Sequence, residues 1–155
     1  MYDPLALAVE ALDSMGLPVP AGYTVQEVPA GSMGEGRIAT VDYDTLTISV
    51  DVAAFGEMAG FPPEAFVTLL MVTLQHEYNH TPEYGGGPAD FCTHFAMGEY
   101  DLAFMCEMIS GVQQDAAEAL CAVYSDWSQW LENLRARRNA ICPGSSPPVP
   151  SCNAC

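Results

Sequence analysis

Lysine is absent from this chain of 155 residues, and arginine occurs only four times. Twenty aspartates and glutamates outnumber those arginines, which gives a formal net charge of -16 at pH 7. A surface this acidic repels the phosphates of nucleic acids and of anionic lipids, so neither is an expected partner. The sequence also lacks an apolar run of the roughly 20 residues that span a bilayer. We therefore expect a soluble partner or substrate, and binding to neither nucleic acid nor membrane.

A basic n-region is missing from the N-terminus, and acidic residues interrupt its first apolar stretch. Residues 1–16 are therefore not expected to be a signal peptide. Six cysteines, an even number, in a small acidic chain are typical of proteins that fold in an oxidising compartment. We expect a secreted or extracellular protein whose signal peptide is not part of this sequence.

The spacing of the cysteines leaves their pairing open, because six cysteines allow many alternative sets of disulfides. Cys106 and Cys121 lie about equally far from the turn at Gly111, so one geometrically plausible disulfide joins two antiparallel helices there. The C-terminal sequence CNAC, from Cys152 to Cys155, is a weak signal for a redox or metal site. Structural disulfides are the preferred interpretation of these two cysteines.

One compact domain is the expectation for a chain of this length, in which half of the residues are apolar. We assign residues 1–141 to that domain and residues 142–155 to a tail rich in Pro, Ser and Cys, which has no periodicity. Apolar residues at helical spacing predict four helices, at 4–15, 64–81, 91–110 and 113–140.

An alternation of polar and apolar residues predicts one half-buried strand. Thr45, Thr47 and Ser49 alternate there with apolar neighbours, and Asp42 to Thr45 is the expected hairpin turn that precedes the strand. The predicted fold class is therefore α+β. We expect a short, mostly antiparallel sheet packed on the helix at 64–81 and on the helical hairpin that follows it.

The helix at 64–81 carries the sequence HEYNH, in which His76 and His80 stand one helical turn apart. Two imidazoles at this spacing point the same way and suit a tetrahedral zinc ion, and Glu77 can reach a water molecule at that ion. The alternative is a buried helix that merely carries hydrogen-bonded histidines. Because the helix is apolar nearly all round, it brings these polar groups into the interior, where a cation would offset the cost.

A zinc site of this kind needs a third protein ligand from a neighbouring element. Glu99 lies 19 positions after His80, on the apolar face of the next predicted helix, where a carboxylate needs a partner. His94, five positions before Glu99, is the alternative third ligand, and it is also a candidate for stabilising an oxyanion. The expected cofactor is Zn²⁺.

On the sequences HEYNH and GEYDLAF, the latter with Glu99, the chain resembles the zincin metallopeptidases, and among them the gluzincins. In that family a glutamate on the next helix completes the HExxH site. The resemblance covers roughly residues 45–110 and extends to the strand TLTISVD, since family members have an edge strand that binds extended substrate. The resemblance implies that Thr45, Thr47 and Ser49 bind a peptide or protein substrate.

Two departures from related patterns leave His94 open as the alternative third ligand. Ala103 stands where thermolysin-like members have an orienting aspartate, and Gly86 stands where metzincins have a third histidine. The resemblance implies a small zinc metalloendopeptidase in which Glu77 takes the proton of the attacking water. The alternatives are a non-catalytic zincin-fold protein of an extracellular assembly, with zinc serving stability, and a metal-binding effector or inhibitor without turnover.

Overall fold

The computed structural model describes residues 2–34, 36–58 and 60–155. Four helices and one three-stranded sheet make it an α+β protein, as the sequence predicted. The chain divides into two compact units, Met1–Gly87 and Pro88–Cys155. Each of these units is described by itself below. The assignment of residues 1–141 to a single zincin-like domain stays a prediction.

The observed helices lie within two residues of the predicted ones. They are α1 at Pro4–Ser14, α2 at Pro63–Asn79, α3 at Phe91–Ile109 and α4 at Gln114–Ile141. The strands are β1 at Thr24–Glu27, β2 at Ala39–Asp42 and β3 at Thr47–Val50. Short 3₁₀ segments lie at Val52–Met58 and Pro82–Tyr84.

The sheet of the first unit has the strand order β1-β3-β2. Strand β3 pairs in parallel with β1 and antiparallel with β2, so the sheet is mixed and the prediction of a mostly antiparallel sheet is wrong for one of the two pairings. The prediction that β3 is an edge strand is also wrong, because β3 is the central strand. Its backbone groups already bond to β1 and β2, and a substrate strand cannot be added there.

The burial of β3 follows its central position. Ile48 and Val50 are fully buried, and Ser49 between them is buried as well. Leu46, which the alternation placed in the strand, instead has a positive φ of 53° and remains 40% exposed. The predicted hairpin turn is present, since the Asp42 carboxylate accepts hydrogen bonds from the backbone N–H groups of Asp44 and Thr45.

Helix α2 is the core of the first unit. Pro63 opens it, since proline fits the first helical position, and Pro82 follows its end. Leu69, Leu70 and Leu74 are fully buried, and residues on every side of the helix are buried with them. Helix α1 and strand β2 both pack on α2. The sequence expectation of a helix buried nearly all round is therefore confirmed.

The second unit is a hairpin of α3 and α4 with the C-terminal segment tied across it by three disulfides. The pairs are Cys92–Cys142, Cys106–Cys152 and Cys121–Cys155. We call residues 142–155 the C-terminal strap. The suggested pair Cys106–Cys121 is wrong, because each of these cysteines bonds to a strap cysteine instead. The preference for structural disulfides at Cys152 and Cys155 is confirmed, although they do not bond to each other.

Within the described residues, no helix combines the length and the apolar character that a membrane crossing requires.

Candidate metal centre

The two histidines of HEYNH meet at the C-terminal end of α2. His76 lies in the last turn, and His80 is the residue that caps the helix with right-handed helical dihedral angles. Their Nε2 atoms are 3.2 Å apart, and their ring centroids are 4.9 Å apart. Both side chains are half-buried. The helical spacing therefore brings two ring nitrogens to one point.

This separation matches what a zinc ion requires. Zinc binds histidine nitrogen at about 2.0–2.1 Å in a tetrahedral arrangement, which sets two such nitrogens roughly 3.3 Å apart. The observed Nε2–Nε2 distance of 3.2 Å is close to that value. The pair is also compatible with a direct hydrogen bond between the rings when one Nε2 carries a proton. The two ring nitrogens thus have the separation of two ligands of one zinc ion.

The other nitrogen of His80 has a partner as well. Its Nδ1 lies 3.0 Å from the backbone carbonyl oxygen of Gly87. Histidines that bind metals commonly donate their second ring N–H to a carbonyl or a carboxylate, which orients the ring. His80 therefore has the surroundings expected of a metal ligand.

Glu77, the residue after His76, is buried with 8% of its surface exposed. A buried carboxylate is costly unless it is paired or hydrogen-bonded. Tyr43, which follows β2, lies close enough to Glu77 for the two to interact electrostatically. Burial raises the pKa of the Tyr43 hydroxyl above its ordinary value, and the neighbouring Tyr23 and Glu77 raise it further. Tyr43 is therefore a neutral hydrogen-bond donor at physiological pH.

The hydroxyl of Tyr43 donates a hydrogen bond of 3.0 Å to the backbone carbonyl of His80. Sequence reasoning missed this tyrosine, because 37 residues separate the two partners and no local pattern links them. It also missed the Gly87 carbonyl. The only signal in the sequence was the run of three glycines from Gly85 to Gly87, which marks a place where the backbone turns tightly.

The two candidate third ligands both lie on α3, in the second unit. His94 is exposed in the first turn, which Asp90 caps by accepting a hydrogen bond from the backbone N–H of Thr93. Glu99 is half-buried, and its carboxylate accepts the hydroxyl of Ser146 in the C-terminal strap at 3.3 and 3.4 Å. Five residues on a helix correspond to about 140° of rotation, so His94 and Glu99 face different directions.

The remaining residues of the motif fill structural positions. Tyr78 is fully buried, and its ring lies 5.7 Å from that of Tyr84. Asn79 donates a side-chain hydrogen bond of 2.9 Å to Gln75, one turn earlier. Tyr78 and Asn79 therefore both have structural contacts within the first unit.

The predicted substrate-binding residues are already engaged within the sheet. Ser49 accepts a hydrogen bond of 3.0 Å from the side chain of Gln26 on β1. Thr47 donates its hydroxyl to the carbonyl of Thr45, which precedes the strand. None of the three therefore offers an unpaired strand edge.

No family model matches this chain, and no curated protein and no solved structure matches it either.

Proposed function

We propose that the protein is a zinc-dependent hydrolase that cuts peptide bonds. The observation that carries this proposal is the 3.2 Å separation of the Nε2 atoms of His76 and His80, with a buried glutamate between them in the sequence. This combination supplies two ligands of the right geometry together with a base. Core histidines that serve only packing have no need of that arrangement.

We propose His94 as the third ligand, in preference to Glu99. His94, like His76 and His80, has ring nitrogens of the kind that zinc binds. The Glu99 carboxylate instead accepts a hydrogen bond from Ser146, which directs it toward the C-terminal strap. His94 also follows Gly87 by only seven residues, so the chain keeps it within reach of the segment that contacts His80.

When bound, zinc supplies a Lewis acid that polarises a carbonyl group and acidifies water. Glu77 accepts the proton of the attacking water on its carboxylate and then delivers it to the leaving amine. Tyr43 holds the backbone of His80 and so keeps the end of α2 in place beside Glu77.

An extended peptide would pair with β2, which is an edge strand of the sheet and packs on α2. The backbone of Asp51 bonds to Ile38, and Thr40 is opposite Ser49, so hydrogen-bonded pairs alternate along β2. The backbone groups of Ala39 and Val41 then point away from β3. They offer a substrate two donors and two acceptors.

We also propose an extracellular location. All six cysteines are in disulfides, and such a set is typical of proteins in an oxidising compartment. A small stable hydrolase that acts on peptides outside the cell agrees with this chemistry.

The test of function is cleavage of a broad peptide library with and without a chelator, together with metal analysis. We expect about one zinc ion per chain and cleavage that stops on chelation. Glu77→Gln should abolish cleavage and retain zinc, because glutamine keeps the shape of the side chain without its basicity. A protein that binds zinc yet cleaves nothing would support the non-catalytic structural role instead.

The third ligand is tested by two variants of α3. We expect His94→Ala to lose zinc and Glu99→Ala to retain it, since a site with two protein ligands binds zinc far more weakly. The reverse result would assign the third ligand to Glu99.

A further inference from the structure

The loop that follows α2, from Thr81 to Gly87, folds back onto the end of that helix. Thr81 is fully buried, and its hydroxyl donates a hydrogen bond of 2.6 Å to the carbonyl of Tyr78. The backbone N–H of Gly86 donates to the carbonyl of Thr81 at 2.9 Å. These bonds bring the next carbonyl, that of Gly87, to 3.0 Å from Nδ1 of His80. The loop therefore holds the His80 ring through a backbone atom.

The return of this loop depends on a glycine at position 86. A Cβ atom there would lie 1.7 Å from the carbonyl oxygen of Asn79 and 3.1 Å from the Cα of His80. Both are backbone atoms at the end of α2, which cannot move aside as a flexible side chain can. Gly87 differs, because a Cβ atom on it would meet nothing within 4 Å. Of these two positions, only position 86 requires a glycine because another backbone segment lies so close to it.

A second group holds the main chain of the same residue. The Tyr43 hydroxyl donates to the His80 carbonyl at 3.0 Å, from the segment that follows β2. His80 is thus fixed at two points, with Tyr43 on its carbonyl and Gly87 on its ring. A residue that only ended the helix would need neither contact.

We propose that Gly86, Gly87 and Tyr43 are positioning residues that preset His80 for metal binding before any metal arrives. A carbonyl oxygen has only lone pairs, so Nδ1 of His80 must be the donor in its contact with Gly87. A neutral imidazole carries one N–H group, which leaves a lone pair on Nε2. That lone pair faces His76, and the ring is held in the form that a metal requires.

The first experiment measures where the proton of His80 resides in the metal-free protein. Long-range ¹⁵N–¹H correlation spectra at a pH of about 8.5, where an ordinary histidine is neutral, distinguish the two ring nitrogens. We expect the proton on Nδ1 of His80. A proton on Nε2 would overturn the proposal, whatever the variants show.

The second experiment compares alanine variants at two glycines, Gly86 and Gly111, by the affinity of the purified chain for Zn²⁺ alone. Gly86→Ala should weaken zinc binding by about 10- to 100-fold, which is the usual effect of losing a group that orients a metal ligand. Gly111→Ala is the control, because it adds the same methyl group in the turn after α3, where the nearest atom, the Met108 carbonyl oxygen, lies 3.7 Å away at an ordinary contact distance. Its affinity for zinc should equal that of the wild type. Equal affinities in all three proteins would overturn the proposal.

Tyr43→Phe covers the case in which Gly86→Ala fails to fold. It removes only the hydroxyl that bonds to His80 and leaves the ring in place. We expect weaker zinc binding with an unchanged circular dichroism spectrum. Unchanged zinc affinity in a folded Tyr43→Phe protein would remove Tyr43 from the positioning group.

The affinity measurements rest on the proposed function, whereas the proton measurement does not. A wild-type protein that binds no zinc but carries its His80 proton on Nδ1 would refute the zinc hydrolase and keep the positioning contact. A wild-type protein that binds zinc tightly but carries the proton of metal-free His80 on Nε2 would refute the positioning contact and keep the zinc site.

Discussion

The hydroxyl of Tyr78 gives the sharpest test of how this core is built. Tyr78 is fully buried, and among the described residues its hydroxyl is a buried polar atom without a hydrogen-bond partner. Burial raises its pKa above the ordinary value of 10.0, with smaller contributions from Tyr84 and Asp13, so the group stays neutral. Tyr78→Phe removes this hydroxyl and leaves the ring where it is.

The expected result is a more stable protein. A buried polar group without a partner costs about 1–3 kcal/mol, and removing it recovers part of that cost. Because the phenylalanine ring also loses a few packing contacts, we expect a net gain of about 1 kcal/mol. For a chain of this size that gain raises Tm by about 2–4 °C. Thermal and denaturant unfolding, both in the presence of a chelator, measure it without a contribution from metal.

Tyr84→Phe is the matched control, since the two rings lie 5.7 Å apart. The Tyr84 hydroxyl donates a hydrogen bond to the carbonyl of Pro18, so its removal should lower stability by about 0.5 kcal/mol. The same chemical change is thus expected to act with opposite sign at neighbouring positions. A loss of 1 kcal/mol or more in Tyr78→Phe would refute the reasoning, because it would mean that the Tyr78 hydroxyl has a partner in solution.

Three further outcomes are expected. Thiol titration of the denatured protein should find no free thiols, and six free thiols would contradict the disulfides and the export argument. Cys106→Ala combined with Cys152→Ala should lower the free energy of unfolding by about 2–4 kcal/mol, because that disulfide closes a long loop. Acid should weaken the start of α3, since the Thr93 N–H lowers the pKa of Asp90 below 3.8. The carboxylate therefore stabilises the fold above that pH and loses its effect as the pH falls through the lowered value, whereas Asp90→Asn should remove this pH dependence.

The sequence by itself determined the helices and placed His76 and His80 on the same side of α2. Pro63 begins α2 and Pro82 follows its end, so local rules placed both ends of this helix within two residues. The approach of His76 and His80 is a direct result of their spacing in a helix, and their contact was predictable without knowledge of any other element.

Tertiary structure alone decided the order of the strands and the pairing of the cysteines. Alternation in the sequence shows that one face of a strand is buried, yet it does not show how many neighbours the strand has. Strand β3 is central because it pairs with β1, which lies more than 20 residues earlier in the chain, as well as with β2. Cys106 bonds to Cys152 because the strap crosses the helical hairpin, and a spacing argument restricted to the hairpin misses that path.

The same distinction applies to the HEYNH motif and to the groups that hold His80 in place. HEYNH is contiguous, so its geometry follows from a single helix, whereas Tyr43 reaches His80 across 37 positions of the chain. The Gly87 carbonyl reaches the His80 ring only because Gly86 admits the close approach of two backbone segments. Contacts of this kind depend on the path of the chain in space, which a local pattern of residue types does not encode.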